Sequence, residues 1–157
     1  MRHVKSARVA ACFMTLCAVL LGSVASASAS DSSIRNLIKA YNPKILVAEG
    51  HVVSAIGEYK KTRNPAPVVK ALDNSISVFR SLKSKISQQS AKSSRVQEGK
   101  RKLMKGLQSV IGAYEKLKVA FGERAGSPQA AKETAMKAEA AVKRGRKQLS
   151  EGIQLLK

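Results

Sequence analysis

From residue 34 to the C-terminus, apolar residues recur at intervals of three and four, the period of a helix and not of a strand. Four such stripes follow one another. The first reads Ile34, Ile38, Tyr41, Ile45, Ala48, Val52, Ala55 and Tyr59, and the second Val69, Leu72, Ile76, Phe79, Leu82 and Ile86. The third is Val96, Leu103, Leu107, Val110, Tyr114, Leu117 and Phe121, the most regular of the four. The last is Ala131, Ala135, Ala138, Val142, Gly145, Leu149, Ile153 and Leu156.

Helix-breaking or polar segments separate the stripes. Asn64-Pro65-Ala66-Pro67 ends the first helix and starts the second, because proline cannot continue a helix yet suits its first turn. A Ser/Gln/Lys-rich connector, Ser87 to Ser94, holds the next turn. Gly126-Ser127-Pro128 supplies a stop, a cap and a first-turn proline. Ser32 or Ser33 is available to cap the first helix. Asn42-Pro43 interrupts that helix without shifting its phase, so Pro43 either kinks one long helix or opens a second behind an asparagine cap.

Long helices with a seven-residue apolar repeat pack at shallow angles, and short connectors make neighbours antiparallel. The expected fold is therefore all-α: an antiparallel up-down four-helix bundle with coiled-coil-like packing. A three-helix bundle with an extended or kinked N-terminal helix is the alternative.

The first 29 residues read differently. Arg2, Lys5 and Arg8 form a basic start, Val9 to Val24 is mostly apolar, and the run Ala25-Ser26-Ala27-Ser28-Ala29-Ser30 offers A-x-A sites ending at Ala27 or Ala29. This is the layout of a cleaved secretory signal peptide. The apolar run is shorter than the ~20 residues a transmembrane helix needs. The expected division is a signal peptide over 1–29 and one bundle domain over 30–157, secreted or periplasmic, with no transmembrane anchor. Both cysteines, Cys12 and Cys17, fall in the leader and neither has a lipoprotein context. The domain itself is cysteine-free, so packing and not disulfides must hold it.

Charge changes the picture most. The 157-residue chain carries 29 Lys+Arg against 10 Asp+Glu, a net charge of +19. Folding the helices antiparallel collects residues 31–46, 78–92, 93–108 and 143–157 at one end, with +14, and leaves the other end at +2. Such a concentration repels itself, since physiological salt screens only beyond about 8 Å. A polyanion relieves that repulsion and releases its own counterions on binding. The candidate anion-binding residues are Arg80, Lys83, Lys85, Arg95, Lys100, Arg101, Lys102, Lys105, Lys143, Arg144, Arg146 and Lys147. Aromatics make up 4% of the chain and Trp is absent. Those present fall mostly on the stripes, leaving no platform for stacking bases. Contacts are therefore expected to phosphate, sulfate or carboxylate groups, without sequence-specific nucleic-acid readout.

No catalytic or metal-binding pattern accompanies the charge. His51 is the sole histidine of the domain, and no Glu-x-x-His pair, nucleophile elbow or haem-attachment motif occurs. The expectation is a non-enzymatic binding protein that needs no cofactor. Its partner is an anionic polymer or surface: cell-wall polymer, lipopolysaccharide, extracellular DNA, sulfated glycan or acidic lipid. Two alternatives stand beside it. One is a small-ligand or haem carrier using the bundle core, with His51, Met104 and Met136 as candidate ligands. The other is an extracytoplasmic adaptor or chaperone for acidic proteins.

Eight glycines lie in the helical stretches: Gly50, Gly57, Gly99, Gly106, Gly112, Gly122, Gly145 and Gly152. Each costs about 1 kcal/mol relative to alanine in a helix interior. Close helix approach, a ligand cavity and a loose bundle are the three readings of that cost.

Overall fold

The computed structural model describes residues 29–122 and 128–157, with side chains for residues 32–122 and 133–157. The expected signal peptide with Cys12 and Cys17, the Gly126-Ser127 turn and the side chain of Ala131 lie outside the described residues. Four helices follow in order: α1 (Ala29–Thr62), α2 (Ala66–Ser87), α3 (Ser94–Gly122) and α4 (Pro128–Leu155). There is no strand among the described residues.

Each helix packs on the next in sequence, α1 on α2, α2 on α3 and α3 on α4. Specific contacts show that every pair is antiparallel, because residue numbers rise on one helix as they fall on its neighbour. Tyr41 meets Ser81, and Ala48 meets Ser75. Phe79 packs on Tyr114 and Asp73 pairs with Lys118. Gly99 faces Gly152, and Gly106 faces Gly145. The molecule is thus a four-helix bundle, not the three-helix alternative.

The stripes form the core. Ile34, Val52, Leu72, Phe79, Ile86, Leu103, Leu107, Val110 and Tyr114 are all but inaccessible. Each large side chain removed from water contributes about 1.5–3 kcal/mol before conformational entropy is subtracted. Ser75 is the one polar interruption of the α2 stripe. Its hydroxyl donates to the Ala48 carbonyl at 3.2 Å, which satisfies the group and ties α1 to α2.

Two local expectations are corrected, and the open alternative at Pro43 is decided in favour of one long helix. Ser32 and Ser33 lie inside α1, which already runs through Ala29, so neither caps its start. The second stripe starts at Val68, which is fully buried, while Val69 is only half-buried. The expected start was one position late because both valines satisfy the spacing at that end. Pro43 sits inside a continuous α1. Its side chain is exposed, so the ring faces solvent while the stripe keeps its phase on the buried face.

The turns are built by the residues that mark them. Arg63 adopts a left-handed φ of 59° and its N–H donates to the Tyr59 carbonyl at 2.9 Å, closing the end of α1. The Asn64 side chain then accepts from the Ala66 N–H at 3.1 Å and starts α2. At the next turn the Ser93 hydroxyl accepts from the Val96 N–H, an N-cap for α3.

The glycines divide into two sets. A Cβ on Gly106 or Gly145 would lie 2.8 or 2.9 Å from the opposite carbonyl oxygen, and on Gly99 or Gly152 3.1 or 2.9 Å from its counterpart. The α3 and α4 backbones therefore touch directly, with glycine Cα–H groups turned toward facing carbonyls. Ala113 and Ala138, one heptad further along each helix, are also buried and continue the seam. Close approach is the reading that holds for these four. Gly50, Gly57, Gly112 and Gly122 have open space where a Cβ would go.

Candidate functional site

The antiparallel order places the N-terminal halves of α1 and α3 beside the C-terminal halves of α2 and α4, as the contacts Tyr41–Ser81, Lys83–Gln108 and Lys102–Glu151 record. The segments that carry +14 in the sequence share this pole. Its cations are not equivalent, and local chemistry sorts them.

Four of the expected anion-binding residues are in surface ion pairs. Arg80 pairs with Glu115 at 2.6 Å, Arg101 with Glu98 at 2.6 Å, Lys102 with Glu151 at 2.8 Å and Lys143 with Glu139 at 3.1 Å. Hydrogen bonds from Arg101 hold the Glu98 carboxyl below the usual carboxylate range, and Lys102 does the same for Glu151. Such exposed pairs exchange readily with water and contribute little to stability. Lys100 has a different task. Its ammonium donates to the carbonyls of Ser87 and Gln89, satisfying acceptors at the end of α2 where the helix dipole is negative. Lys83 donates to the Gln108 side chain across the α2–α3 groove.

Arg146 is withdrawn from the surface altogether. Only 12% of its side chain is exposed, and its guanidinium donates to Glu49 at 2.8 Å, a carboxylate with 4% exposure. Tyr114 donates its hydroxyl to the same oxygen at 3.1 Å. Glu49 on α1, Tyr114 on α3 and Arg146 on α4 thus form one buried polar cluster. Burial pushes the Glu49 carboxyl up, with Arg146 the main opposing influence, and also pushes the Tyr114 hydroxyl up. Sequence reasoning missed this cluster. The available signal was a carboxylate at Glu49, next to the stripe residue Ala48 and so at the edge of the buried face.

Arg95, Lys105, Arg144, Lys147 and Lys85 remain exposed without a salt bridge among the described residues, although Lys147 adds to the field that lowers the Glu151 carboxyl. Lys39, Lys44, Lys92 and Lys157, which the candidate set omits, join them at the same pole. Two of these nine are held in place. The ammoniums of Lys44 and Lys85 lie 5.1 and 5.6 Å from the centre of the Tyr41 ring, and the Tyr41 hydroxyl shares a 2.7 Å hydrogen bond with Ser81. That bond, reinforced by Lys85 and Lys44, lowers the phenol below its ordinary pKa.

Two grooves accompany the pole. One of about 470 Å³ runs between α2 and α3 and is lined by Arg80, Lys83, Ser84, Ser87, Met104, Gln108, Ile111 and Glu115. The other, about 510 Å³, runs between α1 and α2 past Pro43, Lys44, Val47, Ala48, His51, Asn74, Ser77 and Val78. His51 and Met104 therefore open onto different grooves, and Met136 is 63% exposed on α4. The candidate haem ligands do not converge. Among the described residues no three His, Cys, Asp or Glu side chains gather as a metal site, and no helix is long and apolar enough to cross a membrane.

Among the described residues no aromatic ring is exposed: Tyr41, Phe79 and Tyr114 are buried, Tyr59 and Phe121 half-buried. Phe79 and Tyr114 pack edge-to-face at 5.8 Å in the core, and Tyr59 packs on Phe121 at 5.2 Å. What the pole presents to a partner is ammonium and guanidinium groups spaced along helices, a surface suited to repeated oxyanions. No protein-family model matches the chain, and neither does any curated protein or solved structure.

Proposed function

We propose that this chain is an exported, non-enzymatic binding protein whose basic pole engages an anionic polymer or surface. Export rests on the basic, apolar and small-residue order of the first 29 residues. Binding rests on a single observation. After the ion pairs of the pole are satisfied, nine exposed cations, seven on the four helices with Lys92 in the α2–α3 connector and Lys157 after α4, remain at one pole without a salt bridge among the described residues. Their mutual repulsion is relieved by a chain of phosphate, sulfate or carboxylate groups. Attraction of this kind is dominated by counterion release and falls steeply with salt. With no aromatic ring exposed among the described residues, the contacts are to charged groups and not to bases, so binding to nucleic acid is indifferent to sequence.

The test is a salt series with inorganic polyphosphate and with duplex DNA. Lys105, Arg144 and Lys147 are exposed and make no salt bridge, so the triple reversal to Glu is expected to keep the helical fold, which circular dichroism of the variant checks. The expected result is a loss of affinity of at least tenfold at low salt. For duplex DNA the slope of log affinity against log salt becomes shallower by about three, since each contact to B-DNA contributes about 0.9. Unchanged affinity and slope in the reversed protein overturn the assignment.

A further inference from the structure

Most cations of the pole pair with an acid, donate to a neutral acceptor or are exposed without a salt bridge among the described residues. Lys44 and Lys85 belong to the last group, yet each also meets an aromatic ring. One comes from α1 and the other from α2, and both lie over a single ring, which places their ammoniums no more than about 11 Å apart. The ring attracts a cation electrostatically but carries no net charge, so it orders the two lysines without cancelling them. At the edge of the same ring, Tyr41 and the exposed Ser81 share one hydrogen bond between two hydroxyls. Each hydroxyl owns one hydrogen, so a hydrogen is left over to donate elsewhere.

We propose that Lys44, Lys85 and the Tyr41–Ser81 hydroxyl pair form a seat for one tetrahedral oxyanion, a phosphate or sulfate ester group of the polymer. Two ammoniums and a hydroxyl grouped at one ring offer three donors, a number that matches a group presenting three oxygens better than a planar carboxylate. Fixing both lysines beforehand removes much of the ordering cost that loose surface lysines incur on binding. Lys44 also lines the α1–α2 groove with Pro43, Val47, Asn74 and Ser77, which offers the rest of the polymer a path along that seam. The seat deepens the reading of the pole as an anion-binding surface and rests on it. Tyr41 also carries its own reporter: its lowered phenol pKa rises when an anion settles beside it.

The experiment is an NMR titration of the full domain with inorganic phosphate, sulfate and acetate at constant ionic strength, reading the Tyr41 and Ser81 signals and the Tyr41 pKa. Phosphate and sulfate are expected to shift these signals saturably and to raise that pKa, with acetate at least fivefold weaker. The double variant Lys44→Ala/Lys85→Ala is expected to weaken phosphate at least tenfold. Lys92→Ala/Lys157→Ala, which removes the same charge from exposed positions of the same pole, stays within twofold of the parent. Equal losses from both doubles, or acetate as strong as phosphate, overturn the seat. If polyphosphate still binds with its full salt dependence while phosphate leaves Tyr41 unmoved, the seat alone fails. If the Lys105, Arg144 and Lys147 reversal leaves polymer binding intact, the wider reading fails instead.

Discussion

The bundle joins its helices by two opposite means. Along α3 and α4 the contact is made by the absence of side chains, with Gly99 against Gly152 and Gly106 against Gly145 at carbonyl distance. Between α1 and α4 it is made by two of the longer side chains available, Glu49 and Arg146, joined at 2.8 Å in the interior with Tyr114 as a third member. The first seam depends on volume and is indifferent to pH. The second depends on charge, and a buried carboxylate is stable only while its cation is present. One seam is therefore vulnerable to a methyl group, the other to loss of the guanidinium.

Breaking the glycine seam has the largest expected effect. Gly106→Leu combined with Gly145→Leu forces side chains into space occupied by backbone, roughly 5 kcal/mol for two strained insertions, comparable to the whole stability of a small domain. Urea unfolding followed by circular dichroism checks it, and an unchanged midpoint denies that the backbones meet.

Arg146→Met tests the charged seam and comes next. It leaves Glu49 buried with only Tyr114, at a cost of about 3–5 kcal/mol when the carboxyl is ionised. The pH dependence has a definite sign. A carboxyl whose folded pKa is raised contributes its stability fully below the ordinary value of 4.5 and loses it as pH rises through the folded value. Without Arg146 the folded value climbs further, so the variant is weakest at pH 8 and recovers toward pH 4. Parallel urea curves at the two pH values decide this, and a deficit independent of pH contradicts it. Adding Glu49→Leu and Tyr114→Phe to Arg146→Met removes the orphaned charge and the hydroxyl that donates to it, and is expected to restore stability close to the parent.

The smallest effect sharpens the comparison from the other side. Gly57→Ala and Gly112→Ala place a methyl group in open space, so each gains up to about 1 kcal/mol in helix propensity. Thermal melts are expected to rise for these two and to fall for Gly106→Ala, although all three make the same chemical change.

Much of the architecture was legible from spacing. Every stripe position from Ile34 to Ala55 in α1 and from Val96 to Leu117 in α3 is buried, although Glu49, Gly99, Gly106, Ile111 and Ala113 are buried beside them. Periodicity reports the direction in which a side chain points, and burial follows from direction. The turns at Asn64-Pro65 and Ser93 were equally readable, because their residues act on their own backbone. The fate of individual charges was not. Arg80, Arg101, Lys102 and Lys143 look alike in sequence to Lys105, Arg144 and Lys147, yet acids on their own or neighbouring helices occupy the first group only. Arg146 differs from Arg144 by two positions, enough to turn it from solvent toward Glu49.

Local order, then, was settled by the chain alone: where helices run, where they stop, which face is apolar and how much positive charge must be accommodated. Only the tertiary arrangement decided which lysines share a ring, which arginine enters the core and which glycines touch. Those outcomes depend on the register between helices far apart in sequence, and a pattern confined to one helix carries no measure of the distance to the next.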